Sequence, residues 1–103
     1  MPQTMTLVMT TIANDRAEAF AELLIREKRA ACVQILPGAK SFYRWKGKLC
    51  VDKESALFIK TTPEKLIELK AFFAANHPYE LPEFLAFDAA ASEAYLAWAQ
   101  ENL

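Results

Sequence analysis

The sequence predicts an α+β fold in which strands and helices follow the order β-α-β-β-α-β, with one further helix at the C-terminus. Two hydrophobic periods alternate along the chain. Apolar, threonine-rich runs are typical of strands, and apolar residues at three- and four-residue spacing are typical of helices. No helical segment separates the second and third strands, which indicates a hairpin. Two split β-α-β units of this kind form an antiparallel four-stranded sheet with helices on one face, the ferredoxin-like sandwich.

The first strand is predicted over residues 5–12, an apolar run that ends before Asn14 and Asp15. Asn14 is expected to cap the following helix, because its side chain can accept a hydrogen bond from a free backbone N–H. The inner face of that helix is predicted from helical spacing: Ala17, Phe20, Ala21 and Leu24.

The central hairpin is predicted over residues 31–61, and it is longer than a compact sheet needs. Pro37-Gly38 indicates a bend or bulge in its first arm, because proline cannot donate to the ladder. Tyr43 and Trp45 are expected to share one face, and Gly47 to supply the tight turn. An aromatic ribbon of this length would be an exposed edge if left alone. We therefore expect it to pair with neighbouring copies in a closed ring of identical chains.

The second half of the chain is predicted to begin with a helix after Thr62-Pro63, a capping hydroxyl followed by proline at the first helical position. Its inner residues are Leu66, Leu69, Phe72 and Phe73, and it should end near Asn76. A short strand is predicted over Phe84–Phe87. Ser92 is expected to cap the last helix, whose inward residues are Leu96 and Ala99.

Composition limits the function. The chain has 103 residues, which is one domain over residues 1–103, and 53% of them are hydrophobic. Its 12 basic and 13 acidic residues give a net charge of −1, which argues against a general nucleic-acid or membrane-surface protein. No apolar run is long enough to span a membrane, and the first four residues show no export signal. Two cysteines favour a reducing cytoplasm over a disulfide scaffold.

Few residues indicate chemistry. His77 is the only histidine, and it starts a stiff, proline-containing loop that also carries Glu80 and Glu83. Imidazole beside carboxylates is a candidate zinc or copper site, and a capping or surface histidine is the alternative. Cys32 lies in a strand, where a free cysteine usually serves as a small hydrophobe. No spacing supports a nucleophile and its base, so we expect no enzyme.

The aromatic and basic residues of the hairpin alternate between Lys40 and Lys48, a pattern that can stack single-stranded bases. The aromatics lie on one hairpin rather than side by side on central strands. A core or interface role is therefore favoured, and no nucleic-acid partner is expected.

Four segments together resemble the CutA divalent-cation tolerance proteins: Ala30 to Gly38, Ser41 to Lys48, Ile59 to Thr62, and His77 to Glu83. The resemblance covers nearly the whole chain, and its Ser-x-Tyr-x-Trp-x-Gly and His-Pro-Tyr-Glu elements are quite specific. It implies a ferredoxin-like homotrimer in the cytoplasm with a non-enzymatic role in tolerance to divalent cations, copper above all. It also implies one alternative, a small-ligand signalling module similar to the PII proteins. A trimeric scaffold for a partner protein is a further hypothesis, in which the assembly itself is the function.

The resemblance also suggests site residues. Some bacterial members bind copper through a first-strand cysteine and two adjacent histidines, where this sequence has Met9 and Asn76-His77, so only His77 matches. The candidate metal ligands are then His77, Glu80, Glu83 and Cys32, with copper or another divalent cation and no organic cofactor. A cleft between subunits is expected to accept a small anion, lined by Tyr43, Trp45, Lys60 and Tyr79.

Overall fold

The computed structural model describes residues 4–103, and it confirms the predicted fold class and element order. Its elements are β1 (Thr4–Ile12), α1 (Ala17–Arg26), β2 (Cys32–Trp45), β3 (Lys48–Thr61), α2 (Leu66–Asn76), β4 (Leu85–Ala90) and α3 (Glu93–Glu101). Short 3-10 turns at Asn14–Arg16 and Pro63–Lys65 lead into α1 and α2. Residues 1–3, on which the expected absence of an export signal partly rests, lie outside the described residues.

The four strands form one antiparallel sheet in the order β2-β3-β1-β4. Helices α1 and α2 cover one face, and the residues between them and the sheet form the main core. Val8 pairs with Ile59 on β3, and both are fully buried. The Phe20 ring of α1 packs against Phe72 and Phe73 of α2, with ring centroids 5.3 and 5.4 Å apart. The predicted inner faces of α1 and α2 are therefore correct, since burial follows the helical period.

The third helix packs on the opposite face of the sheet. Leu96 and Ala99 contact Met5, which alternates along β1 with the helix-covered Val8. Ser92 is its N-cap, as predicted, because the Ser92 hydroxyl accepts a hydrogen bond from the Tyr95 N–H at 3.2 Å. Helix α3 covers only one end of this face. Among residues 4–103, no helix is long and apolar enough to cross a membrane.

Three local predictions are wrong. Thr62 lies at the N-cap position before the Pro63–Lys65 turn, but its hydroxyl makes no capping hydrogen bond. Asn14 does not cap α1: it lies within the short 3-10 turn, and its side-chain oxygen accepts a hydrogen bond from the Ser55 hydroxyl at 2.6 Å. The long-range partner on β3 outcompetes the local backbone. The last strand spans Leu85–Ala90 rather than residues 84–87, because it pairs with β1 as far as Thr4.

The β2–β3 hairpin is long, as predicted, with 14 residues in each arm. A bulge interrupts the register between Leu36 and Ala39, where Gly38 adopts a φ of +82°. Gly47 at the tip has a φ of +78°, a left-handed conformation that glycine adopts without strain. The hairpin extends the molecule to 46 Å in its longest dimension.

Candidate functional site: the His77 loop and the hairpin cavity

The side chain of His77 is buried at the point where α2 ends. The residue leaves the helix in an extended conformation, with φ −72° and ψ 133°, as the following proline requires. The residue is 8% exposed, and its ring stacks on Phe73 at 5.6 Å between centroids, with Phe20 and Tyr79 edge-on. This aromatic setting fixes the ring.

Both ring nitrogens of His77 have partners. Nε2 lies 3.0 Å from the Thr11 carbonyl oxygen, and Nδ1 accepts a hydrogen bond from the Tyr79 N–H at 3.1 Å. A carbonyl can only accept, so Nε2 carries the proton and the ring is neutral. Burial lowers the pKa of His77, with a smaller contribution from Arg16. The bond to Thr11 and the charge of Glu54 act in the opposite direction. The imidazole thus joins the loop to the end of β1.

The phenol of Tyr79 extends this connection to the hairpin. Its hydroxyl donates a 2.6 Å hydrogen bond to Oε1 of Glu54 on β3. Glu54 is only 5% exposed, although it is a charged residue. Burial and the neighbouring carboxylate raise the pKa of the Tyr79 hydroxyl, so it stays protonated as the donor at neutral pH. Thr11, His77, Tyr79 and Glu54 form one connected chain of hydrogen bonds.

A cavity of about 690 Å³ lies between this loop and the hairpin. It is lined by Thr11, Ser41, Phe42, Tyr43, Arg44, Trp45, Glu54, Tyr79, Glu80, Leu81 and Glu83. The Tyr43 hydroxyl donates to the Asp52 carboxylate, which raises the pKa of Tyr43 to about 12. Partial burial, and then the charge of Glu54, raises the pKa of the Glu83 carboxyl. Three glutamates and one arginine line the cavity, so its charged groups are mainly acidic.

Five of the predicted site residues meet at this cavity. Tyr43, Trp45 and Tyr79 of the expected cleft line it together with Glu80 and Glu83 of the expected metal set, while His77 holds the loop from behind.

Two predicted residues lie elsewhere. Lys60 lines a separate cavity of about 410 Å³ beside α3, with its Nζ 5.9 Å from the Tyr95 ring centroid. Cys32 pairs with Lys60, whereas Leu36 pairs with Ala56, the partner of Thr11. Four residues of strand separate Cys32 from Leu36, about 13 Å at strand spacing. Within one chain, Cys32 therefore does not reach the His77 loop.

Glu54 is the site residue that sequence reasoning missed. Its only signal is that it lies two positions before Ala56, where the apolar part of β3 begins, because its neighbours Asp52, Lys53 and Ser55 are also polar. Among residues 4–103, no three His, Cys, Asp or Glu side chains are grouped closely enough to hold a metal ion. One chain therefore provides a cavity beside the hairpin and a loop that hydrogen bonds of His77 and Tyr79 hold in place.

A ferredoxin-like sheet, an extended hairpin and a cavity beside a rigid loop define a class of small α+β proteins with a site on the sheet edge. Comparison with known proteins gives the family. The model of the CutA1 divalent ion tolerance protein family matches residues 5–102, and the chain belongs to this family.

Individual proteins similar to this chain agree with the family assignment. The divalent-cation tolerance protein CutA of Thermus thermophilus is 39% identical over 97 residues, covering 93% of this chain and 94% of that protein. The chloroplastic protein CutA of Arabidopsis thaliana is also 39% identical, but the chain spans only 54% of its length. The structure of the PII-like protein CutA from Nostoc superimposes with a TM-score of 0.89 at 31% identity, covering 95% of this chain and 97% of that one.

Proposed function

We propose that this chain acts in tolerance to divalent cations by binding the cation itself, without catalysis, and that copper is its main metal. The observation that carries the proposal is the acidic lining of the hairpin cavity. Glu54, Glu80 and Glu83 line it, and Glu54 forms no ion pair within residues 4–103. A bound cation would compensate the buried charge, which is unfavourable when unpaired. The two free cysteines support a cytoplasmic location, where thiols stay reduced.

The proposed metal ligands differ in availability. Glu80 and Glu83 are exposed at the cavity and free to bind first. His77 can join them only if the metal replaces its bond to Thr11 or to Tyr79. Cys32 is a separate candidate, because a thiolate suits copper(I) but its place on β2 keeps it away from the loop. We propose no catalytic role for His77, since both of its ring nitrogens are already engaged in hydrogen bonds, to Thr11 and to Tyr79.

Calorimetric titration with Cu²⁺ and Zn²⁺ tests the metal proposal. Replacing Glu80 and Glu83 together with Gln should weaken copper binding by at least about tenfold, the effect of losing roughly 1.4 kcal/mol of ligation. Glu64→Gln is the matched control and should leave binding unchanged, because Glu64 is an exposed carboxylate in the 3-10 turn that leads into α2. Identical isotherms for the wild type and the double variant would exclude this cavity as the metal site.

The uncovered face of the sheet supports assembly as a homotrimer, which we also propose. On this face the pairs Met9–Leu85 and Leu7–Phe87 lie beside Phe58, and Leu85 and Phe87 are 49% and 46% exposed. Exposed apolar patches on a sheet are typical of subunit contacts. Neighbouring copies, with the long hairpin extending across them, would cover it.

Light scattering after size-exclusion chromatography tests the assembly. The wild type should have three times the chain mass of 11.6 kDa, and Phe87→Glu should dissociate it by placing a charge in the contact. Ile67→Glu is the control, because Ile67 is 83% exposed but lies on α2, away from this face. A wild-type monomer, or dissociation by both variants alike, would contradict the proposal.

A second candidate function, binding of a small organic ligand as a signal, is favoured by the size of the hairpin cavity. Ligand sites typically measure roughly 300–1,000 Å³, and this one has about 690 Å³. Its position between a rigid loop and the hairpin would couple ligand binding to subunit contacts. Thermal stabilisation by a panel of small metabolites in the absence of metal would support this function, and stabilisation by metals alone would exclude it.

A further inference from the structure

The hairpin cavity combines aromatic side chains with a buried carboxylate. Tyr43 and Trp45 share one face of β2 with Ser41, and the register places Asp52 opposite Ser41 and Glu54 one pair further from the hairpin tip on the same face. Tyr79 closes the cavity from the loop and bonds to Glu54. Three aromatic residues therefore line a space that contains an acidic group.

The charges of the cavity exclude an anion as its best guest. Glu54 is 5% exposed and has one hydrogen-bond donor, Tyr79, and no ion-pair partner within residues 4–103. Glu80 and Glu83 add acidic groups at the mouth. One cation, Arg44, also lines the cavity, although it alternates along β2 with Tyr43 and Trp45 and so leaves the strand from the opposite face. A negatively charged guest would therefore meet three carboxylates against one guanidinium.

The aromatic residues distinguish an organic cation from a bare metal ion. A bare metal ion coordinates oxygen, nitrogen or sulfur atoms rather than aromatic rings, so Tyr43 and Trp45 add little to a metal site. An alkylated ammonium instead contacts ring faces through its carbon groups, and the rings attract its charge. Trp45 already attracts one ammonium, since Lys46 Nζ lies 5.8 Å from its ring centroid.

We propose that the hairpin cavity binds a small organic ammonium ion, held between Tyr43, Trp45 and Tyr79 with its charge directed toward Glu54. This inference rests on the second candidate function, because it names the ligand class of that site. It assigns no direct contact to the metal ligands Glu80 and Glu83, which only add negative charge at the mouth. The hydrogen-bond chain from Thr11 through His77 to Tyr79 would keep the third aromatic residue in place before the ligand arrives.

Calorimetry with choline tests the proposal on the intact chain without metal. The control ligand is the neutral isostere in which carbon replaces the quaternary nitrogen. It has the same shape and no charge, so it should bind at least about tenfold more weakly. Glu54→Gln should weaken choline binding by a similar factor while keeping the size of the side chain.

Trp45→Leu keeps the test valid if Glu54→Gln does not fold. Trp45 is 37% exposed, so its replacement should leave the fold intact while weakening choline binding at least about fivefold. Trp98→Leu is its matched control, because Trp98 is 43% exposed on α3 and lies outside this cavity. Thermal melts of each variant confirm folding.

Three results would overturn the proposal: no choline binding at about 10 mM, equal binding of the neutral isostere, or equal effects of Trp45→Leu and Trp98→Leu. Equal binding of the isostere would leave a small-ligand site without ammonium selectivity. An unchanged copper titration alongside absent choline binding would leave the metal function intact. The failures of the two proposals are thus distinguishable.

Discussion

Replacing Tyr79 with Phe removes a single oxygen, the donor of the hydrogen bond to Glu54. The acceptor carboxylate is only 5% exposed, and the bond measures 2.6 Å. A hydrogen bond to a charged group contributes about 1.5–3 kcal/mol, and a buried acceptor that loses its donor gains no hydrogen bond from water in exchange. We therefore expect the free energy of unfolding to fall by about 2 kcal/mol. With a urea slope of roughly 2 kcal/mol per molar, the midpoint should move by about 1 M.

The control for this change is Tyr43→Phe in the same urea titration. Tyr43 donates to Asp52 in the same way, but both side chains are exposed, so water replaces the lost bond and the midpoint should hardly move. Protein concentration must be equal throughout, because association shifts apparent stability. Equal effects of the two variants would refute the reasoning that burial determines the strength of the Tyr79–Glu54 bond. So would an unchanged midpoint for Tyr79→Phe.

Three further outcomes follow from the structure. Burial lowers the pKa of His77, so the unfolded chain binds more protons in acid. The contribution of neutral His77 to the free energy of unfolding should be complete above about pH 6.5, the pKa of an unfolded histidine. It should be lost as the pH falls toward the lower pKa that His77 has in the folded protein. Urea midpoints from about pH 8 to 5 should show this slope, and His77→Gln should remove it. Leu69→Ala should cost about 2–5 kcal/mol in calorimetric stability, since Leu69 is fully buried in the core. Gly47→Ala should cost about 1 kcal/mol by the same measurement, because Gly47 has a φ of +78°.

Local patterns account for what the sequence could predict. Helical spacing identifies Phe20, Leu24 and Leu69 as inward residues, because burial repeats with the helix. Ser92 is identified as a cap because its partner, the Tyr95 N–H, lies three residues away. Each of these features depends on neighbours that the sequence itself places close together.

Long-range pairing accounts for what the sequence could not predict. Asn14 could cap the following helix, but its side-chain oxygen instead accepts a hydrogen bond from Ser55, which is 41 residues away. Glu54 accepts a hydrogen bond from Tyr79, which is 25 residues away, and no local pattern in either segment predicts this pairing. Lys60 shares the β3 alternation with Glu54, yet it lies six residues further along, near the end of the strand, and lines a different cavity. These contacts depend on the order and register of the strands, which the hydrophobic periodicity of the sequence does not specify.

The bulge at Pro37-Gly38 has a consequence for the guest that the hairpin can accept. Across it β2 advances from Leu36 to Ala39 while β3 moves only from Ala56 to Glu54, so β2 carries one extra residue. If the two arms ran on in register without the bulge, every side chain of the outer arm would be inverted, and Phe42 and Arg44 would share the face of Glu54. That face would then carry a guanidinium in place of Tyr43 and Trp45, and its preference for a cationic guest would be lost without any change in the sequence.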